Sequence, residues 1–136
     1  MKTYILLLLS LSFYISLSAQ ENQSPQSTAI TDIGRYEIVQ SEGSARYTFK
    51  VDKQDGRVYQ MVKNDEGLYW QEVLVMPNPL DTAKAGYVNY QLFVSGHGPR
   101  YTFLMNVNTG ASWQLAKDPE NEKIFWTPME TNGMGR

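Results

Sequence analysis

The chain has 136 residues and a net charge of −2, from 12 basic and 14 acidic side chains, with one histidine and no cysteine. A charge so close to neutral gives no electrostatic reason to expect a nucleic-acid partner. The lack of cysteine excludes disulfides, a thiol nucleophile and a thiolate metal site.

Residues 1–20 have the layout of a secretory signal peptide. Lys2 gives a positive start, residues 5–17 are apolar apart from serines, and Ser18-Ala19-Gln20 offers cleavage after Ala19 or Gln20. An apolar stretch of about 13 residues is short for a spanning helix, which needs roughly 20. We therefore predict an exported protein, periplasmic or extracellular, with no membrane span after cleavage. Loss of Lys2 alone leaves 11 basic and 14 acidic residues, a net charge of −3.

The first β unit is predicted over residues 34–75, after a polar flexible leader at 21–33. Alternating polarity over 46–51 places Tyr47, Phe49 and Val51 on one buried face of a strand. Gly56 closes a tight hairpin behind that strand. The last strand of the unit, residues 68–75, is apolar on both faces, so we expect it to be covered on both sides.

A second unit over 86–130 repeats the first, after a linker at 76–85 with two prolines. Residues 36–63 and 90–117 align without a gap at an offset of 54, and nine of 28 positions are identical. After a two-residue insertion the match resumes, with Leu68-Tyr69-Trp70 against Ile124-Phe125-Trp126. Residues 131–136 are predicted to be a loose tail. The expected core positions are Tyr36, Ile38, Tyr47, Phe49, Val51, Tyr59, Met61, Trp70, Tyr90, Leu92, Tyr101, Phe103, Met105, Trp113, Leu115 and Trp126.

The repeat predicts an all-β fold of eight antiparallel strands in two four-stranded meanders. One such sheet cannot bury its apolar face alone, so the two sheets pack as a sandwich or join as a small barrel. No helical periodicity appears after the signal peptide.

The repeated unit also resembles a β-propeller blade, and the repeats of small secreted bacterial proteins with blade-like meanders. The residues that carry the likeness are Arg100-Tyr101-Thr102-Phe103, Asn108-Thr109-Gly110 and Trp113, and the first unit departs from it at Asp55 and Tyr59. The resemblance covers residues 34–130. It implies a third architecture, two blades of an oligomeric propeller, and a lectin-like role in sugar binding.

Candidate site residues are few. His97 lies in a Gly-His-Gly-Pro turn with Ser95 nearby, but no nucleophile motif surrounds any serine, so an exposed turn histidine is the better interpretation. Arg46 and Arg100 recur at one position and could clamp carboxylates or pair across strands. Tyr69 and Phe125 could form a stacking platform for a sugar or peptide.

No metal or cofactor is predicted. Asp52, Asp55, Asp65 and Glu66 do not have the spacing of a calcium loop and are expected to form turns. The prediction is thus a non-enzymatic exported binding module for a glycan, a peptide or an envelope protein, with its oligomeric state left open. The alternatives are an inhibitor of exported proteases, a lectin-like sugar binder and, less favoured, a small hydrolase using His97.

Overall fold

A computed structural model describes residues 34–130; the predicted signal peptide, leader and tail lie outside the described residues. Two four-stranded antiparallel sheets pack face to face as a sandwich, and each sheet is a meander of consecutive strands. They remain separate sheets over the described range, so of the two packing alternatives the sandwich is confirmed. The first sheet contains β1 (Tyr36–Ser41), β2 (Ser44–Asp52), β3 (Val58–Asn64) and β4 (Gly67–Val73), and the second contains β5 (Tyr90–Phe93), β6 (Phe103–Asn106), β7 (Ser112–Lys117) and β8 (Ile124–Pro128).

The two sheets have the same strand register. Phe49 pairs with Gln60 in the first sheet, and Phe103 pairs with Gln114 in the second, at the repeat offset of 54. The paired glutamines also have equivalent roles. Gln60 Nε2 donates to the carbonyl of Arg46 at 3.0 Å, and Gln114 Nε2 donates to that of Arg100 at 2.6 Å. Both hairpins close identically too, with the amides of Gly56 and Gly110 donating to the carbonyls of Asp52 and Asn106.

The core lies between the sheets and is built from different repeat positions on its two sides. The first sheet contributes five buried apolar residues and the second contributes eight. Phe49 packs edge-on against Trp126, with ring centroids 6.0 Å apart. The buried apolar residues are Val39, Phe49, Val51, Val58 and Val73 from the first sheet, and Tyr90, Leu92, Val94, Leu104, Ala111, Trp113, Leu115 and Trp126 from the second.

Part of the predicted core is therefore wrong. In the first sheet, Tyr36 is 57% exposed and Ile38 37% exposed, because β1 buries Val39 instead. The register places Tyr59, Met61 and Trp70 on the same outward face as Ile38. All three of these side chains are only half-buried there. The predictions for Phe49 and Val51 are confirmed, and Tyr47 packs against the edge of the core.

The second sheet departs from the prediction on β6. Pro99 at the start of a 3₁₀ helix (Pro99–Tyr101) holds Arg100 and Tyr101 out of the sheet, because proline fixes φ and offers no ladder donor. Leu104 is fully buried, so Phe103 and Met105 point outward. Tyr90, Leu92, Trp113, Leu115 and Trp126 are buried as predicted.

The predicted strand at residues 68–75 was expected to be covered on both sides. This prediction is wrong, because both sides of the segment carry exposed apolar residues in the single chain. Leu68 and Leu74 are each 66% exposed, and Tyr69 is 45% exposed. Beyond β4 the chain still contacts the second sheet, because Val75 forms a parallel bridge with Trp126.

The linker at 76–85 is fixed by a polar network. Asp81 accepts hydrogen bonds from Tyr90 Oη at 2.8 Å and from Asn106 Nδ2 at 2.7 Å. The buried Asn89 bonds the carbonyls of Gln54 and Lys84, which links the end of β2 to the linker. Burial, followed by the bond to Asp81, raises the pKa of Tyr90 well above its ordinary value, so this phenol stays protonated and donates.

Candidate binding surfaces

The second sheet carries an apolar cleft on the face turned away from the core. We call it the second outer face: Gln91, Phe93, Phe103, Met105, Ser112 and Met129, which line a cavity of about 430 Å³. Strand register brings them together, since Gln91, Met105 and Ser112 form one cross-strand row. Phe93 and Phe103 stack at 6.4 Å between ring centroids, and Phe93 is 59% exposed. The face thus presents aromatic and thioether groups to solvent.

The first sheet has a mixed outward face. We call it the first outer face: Tyr36, Ile38, Lys50, Tyr59, Met61, Leu68 and Trp70. At its centre the Lys50 Nζ lies 4.6 Å from the ring centroid of Tyr59 and 5.2 Å from that of Trp70. Such cation–π contacts hold the ammonium on the aromatic rings. This face combines one positive charge with an aromatic floor.

The turn that holds His97 shows a backbone contact to serine. The His97 backbone amide donates a hydrogen bond to Ser95 Oγ at 3.0 Å, and His97 as a residue is exposed to solvent. Ser95 itself is buried, and its carbonyl accepts a hydrogen bond from Ser41 Oγ at 2.9 Å. The Ser95 hydroxyl therefore caps a turn in this structure.

The recurring arginines have different surroundings. Arg100 lies over the ring of its neighbour Tyr101 at 4.8 Å and donates to that phenol. Arg46 lines a cleft of about 710 Å³ between the β3–β4 edge and the β7–β8 turn. In the same cleft the Lys117 ammonium, with a smaller contribution from Arg46, holds the pKa of Glu122 below its usual range. The two arginines thus do not form one clamp.

Tyr69 and Phe125 also do not converge. Tyr69 pairs with Val62 on the side of the first sheet that turns toward the second, at its exposed edge. Phe125 pairs with Ala116 on the outward side of the second sheet. The second sheet separates the two rings, so they do not make a shared platform within one chain.

The acidic turn residues are engaged in pairing. Asp52 accepts a bidentate bond from Arg35, with Nη2 to Oδ2 at 2.8 Å, and Asp55 accepts from Arg57 at 2.7 Å. Burial of Asp52 acts to raise its pKa, but the bonds from Arg35 and from the Gln54 amide outweigh it and lower the pKa overall. Over residues 34–130, no group of three or more His, Asp or Glu residues is arranged to hold a metal ion.

The outer faces are the feature that sequence reasoning missed. The signal was present in the repeat, since nine of the thirteen buried apolar residues have an apolar counterpart in the other unit. The same repeat positions were expected to be buried in both units. The apolar character of the first and second outer faces was therefore not predicted.

In comparisons with known protein families, with curated proteins and with solved structures, the chain finds no match. The helical content of the described segment, a single 3₁₀ turn, includes nothing of the length and apolarity that a membrane-crossing helix requires.

Proposed function

We propose that this protein is an exported, non-enzymatic binding module that contacts a protein partner through its outer sheet faces. The observation that supports this proposal is the second outer face, where Phe93, Met105 and Met129 are exposed around a cleft of about 430 Å³. Contiguous exposed apolar surface of this kind marks interaction sites in folded proteins.

The sheet geometry supports such a role. A face on regular strands keeps its side chains at fixed spacing, and Phe93 and Phe103 are already stacked before any partner arrives. A preformed aromatic surface loses little conformational entropy on binding, which favours affinity. The polar side chains of the cleft, Gln91 and Ser112, can fix the orientation of a bound segment.

Export is the second part of the proposal and rests on residues 1–20. Production of the full chain in a bacterium should yield an envelope or secreted form shortened by the 19 or 20 residues before the cleavage point. Intact-mass spectrometry of that form measures the cleavage. Recovery of the chain at full-length mass from the cytoplasm would contradict export.

Binding is tested by placing a photo-crosslinking residue in the cleft. Phe93→p-benzoylphenylalanine should give a discrete adduct on irradiation of cells that express the protein. The matched control is the same substitution at Leu80, an exposed apolar residue of the linker, which should give none. Absence of an adduct at both positions would refute the proposal.

The three alternatives are tested with the same mature protein. A glycan array and a panel of secreted proteases address the lectin and inhibitor roles. Hydrolase turnover that disappears in His97→Ala would replace the proposed function with an enzymatic one, whereas turnover that survives His97→Ala would exclude that histidine from the reaction.

A further inference from the structure

The two sheets have equivalent strands and register, but each packs on the core with the face that the other turns outward. The five buried apolar residues of the first sheet have repeat counterparts that all lie on the second outer face. Val39, Phe49, Val51, Val58 and Val73 correspond to Phe93, Phe103, Met105, Ser112 and Met129. In the reverse direction, five of the eight buried apolar residues of the second sheet correspond to apolar residues of the first outer face: Tyr90, Leu92, Trp113, Leu115 and Trp126 correspond to Tyr36, Ile38, Tyr59, Met61 and Trp70. The other three, Val94, Leu104 and Ala111, correspond to Gln40, Lys50 and Arg57.

The contacts between the sheets show that the second sheet is stacked on the first in the same orientation, with equivalent strands next to each other. Ser41 and Ser95 are repeat counterparts, and they meet directly through Ser41 Oγ and the Ser95 carbonyl. The carbonyl of Lys53, just after β2, accepts from the amides of Asn89 and Tyr90 at the start of β5. Val75, just after β4, bridges Trp126 on β8. Equivalent strands thus lie beside each other, which is a head-to-tail arrangement.

A head-to-tail contact between two units leaves one face of each kind unused, one at either end of the pair. Here the unused faces are the first and second outer faces. Their residues are the counterparts of the two surfaces that already pack together within the chain. The same contact can therefore be made again between chains.

Individual contacts support this correspondence. Within the chain the buried Tyr90 ring covers Gly56, so closely that a Cβ there would lie 2.8 Å from it. The counterparts are Tyr36, which is 57% exposed, and Gly110, which has nothing within 4 Å of the position a Cβ would take. Likewise Phe49 packs against Trp126, while their counterparts Phe103 and Trp70 are both half-buried at the surface.

We propose that copies of this chain associate head to tail, with the first outer face of one copy packed on the second outer face of the next. This inference rests on the proposed function and names its protein partner as a second copy. Such a contact closes into a ring if the rotation per chain permits, and otherwise extends as a filament. It would also cover the exposed half of Trp70 and the apolar side chains of the cleft.

Lys50 is the main departure from the internal contact, where its counterpart is the fully buried Leu104. Covering an ammonium costs free energy even when aromatic rings flank it, so the contact between chains is weaker than the one within the chain. Lys50→Leu should therefore lower the dissociation constant by about tenfold or more. A dissociation constant that is unchanged or raised in this variant would contradict the face assignment.

The decisive experiment uses two variants that each disable one face. Ile38→Asp alters the first outer face, directly across from Lys50, and Phe93→Asp alters the second. Light scattering after size-exclusion chromatography should show assemblies for the mature wild type and single chains for each variant. An equimolar mixture of the two variants should form a species of two chains, because one intact pair of faces remains. Leu80→Asp, a change of the same kind outside both faces, should behave as the wild type.

Other outcomes decide against the inference. A wild type that stays a single chain at its highest soluble concentration refutes it. So does a mixture that fails to recover a two-chain species, since that result indicates a symmetric contact or a different surface. Circular dichroism confirms that the variants fold, and Leu68→Asp replaces Ile38→Asp if the latter unfolds.

The crosslinking experiment separates this inference from the proposed function. An adduct at Phe93 with the mass of two copies supports both. An adduct with a different protein, together with a monomeric purified chain, refutes self-association and leaves the binding function in place. No adduct and no assembly refutes both.

Discussion

The first and second sheets have the same strand order, register and hairpins, yet each buries the face that the other exposes. In the first sheet the row Glu37, Val51, Val58 and Val73 turns inward, and in the second its counterpart row, Gln91, Met105 and Ser112, turns outward. A repeated strand pattern therefore specifies a sheet but does not specify which of its faces becomes the core. Two apolar faces per unit are what a chain of stacked sheets requires, and only one of each is used within this molecule.

Phe49 and Phe103 occupy the same repeat position, but only Phe49 lies in the core, so their contributions to stability should differ most. Phe49 is fully buried, so Phe49→Ala should lower the free energy of unfolding by about 3–5 kcal/mol. Phe103→Ala, at the counterpart position on the second outer face, should lower the free energy of unfolding by only about 1 kcal/mol, because the Phe103 side chain is already half-exposed. Chemical denaturation of the protein, diluted until it is a single chain, measures both. Equal losses would mean that the two sheets are packed through the same face.

The hairpin glycines give the next largest contrast. Both have positive φ, 77° at Gly56 and 78° at Gly110, so alanine at either position should cost about 1 kcal/mol in backbone strain. At Gly56 the new Cβ would also meet the Tyr90 ring, which is buried and held by Asp81. Overpacking there should bring the total for Gly56→Ala to roughly 3 kcal/mol. Urea titrations of the two variants should therefore differ, and identical midpoints would contradict the close contact.

The two units also differ at the hairpin turn, where Asp52 in the first unit corresponds to Asn106 in the second, and this difference should appear in the pH dependence of stability. The pKa of Asp52 is lowered in the folded protein, so its pairing with Arg35 contributes stability above the ordinary aspartate pKa of about 3.9. That contribution is lost as pH falls through the lower folded pKa. Because Arg35 is 45% exposed, the effect should be about 1 kcal/mol.

Asp52→Asn introduces the amide of the counterpart position and should remove this part of the acid sensitivity. Unfolding free energies measured between roughly pH 6 and pH 2 test it, with Asp65→Asn on an exposed turn as the control. A wild-type acid profile that Asp52→Asn leaves unaltered would show that the Arg35 pair adds nothing to stability.

The smallest effect is expected where the sheets agree. Gln60→Ala and Gln114→Ala each remove one exposed hydrogen bond to an arginine carbonyl, so each should cost about 0.5 kcal/mol. Thermal unfolding of the two variants should give shifts of the same size. A clear difference between them would show that the equivalent bonds contribute unequally to the two sheets.

Much of the fold followed from local pattern. Alternating polarity and the Gly56 and Gly110 turns predicted the strands and hairpins, because strand pairing across a tight turn depends on residues close in sequence. The prediction failed at Tyr101, where Pro99 forms a 3₁₀ turn in place of the strand that the first unit has there.

The candidate site was less accessible to sequence reasoning. Arg46, Arg100 and His97 were identified by residue type, and the fold leaves the arginines in separate places and His97 in an exposed turn. Tyr69 and Phe125 occupy equivalent repeat positions, but the packing puts them on opposite sides of the second sheet. Equivalence in sequence could not predict this separation, because it depends on how one sheet lies against the other.

The order of the strands and the repeated hairpins follow from the amino-acid pattern alone, since each depends on neighbours a few residues away. The register of the strands does not, because Val39 and not Ile38 lies across from Phe49. The choice of the buried face is different. Both faces of each sheet carry several apolar side chains, so the local pattern of polarity does not identify the one that is buried. The stacking of the second sheet on the first, fixed by Ser41, Lys53 and the Asp81 network, selects Val39 and Phe49 on one side and Leu92 and Trp113 on the other. Long-range packing makes that selection, and it leaves Phe93 and Trp70 at the surface.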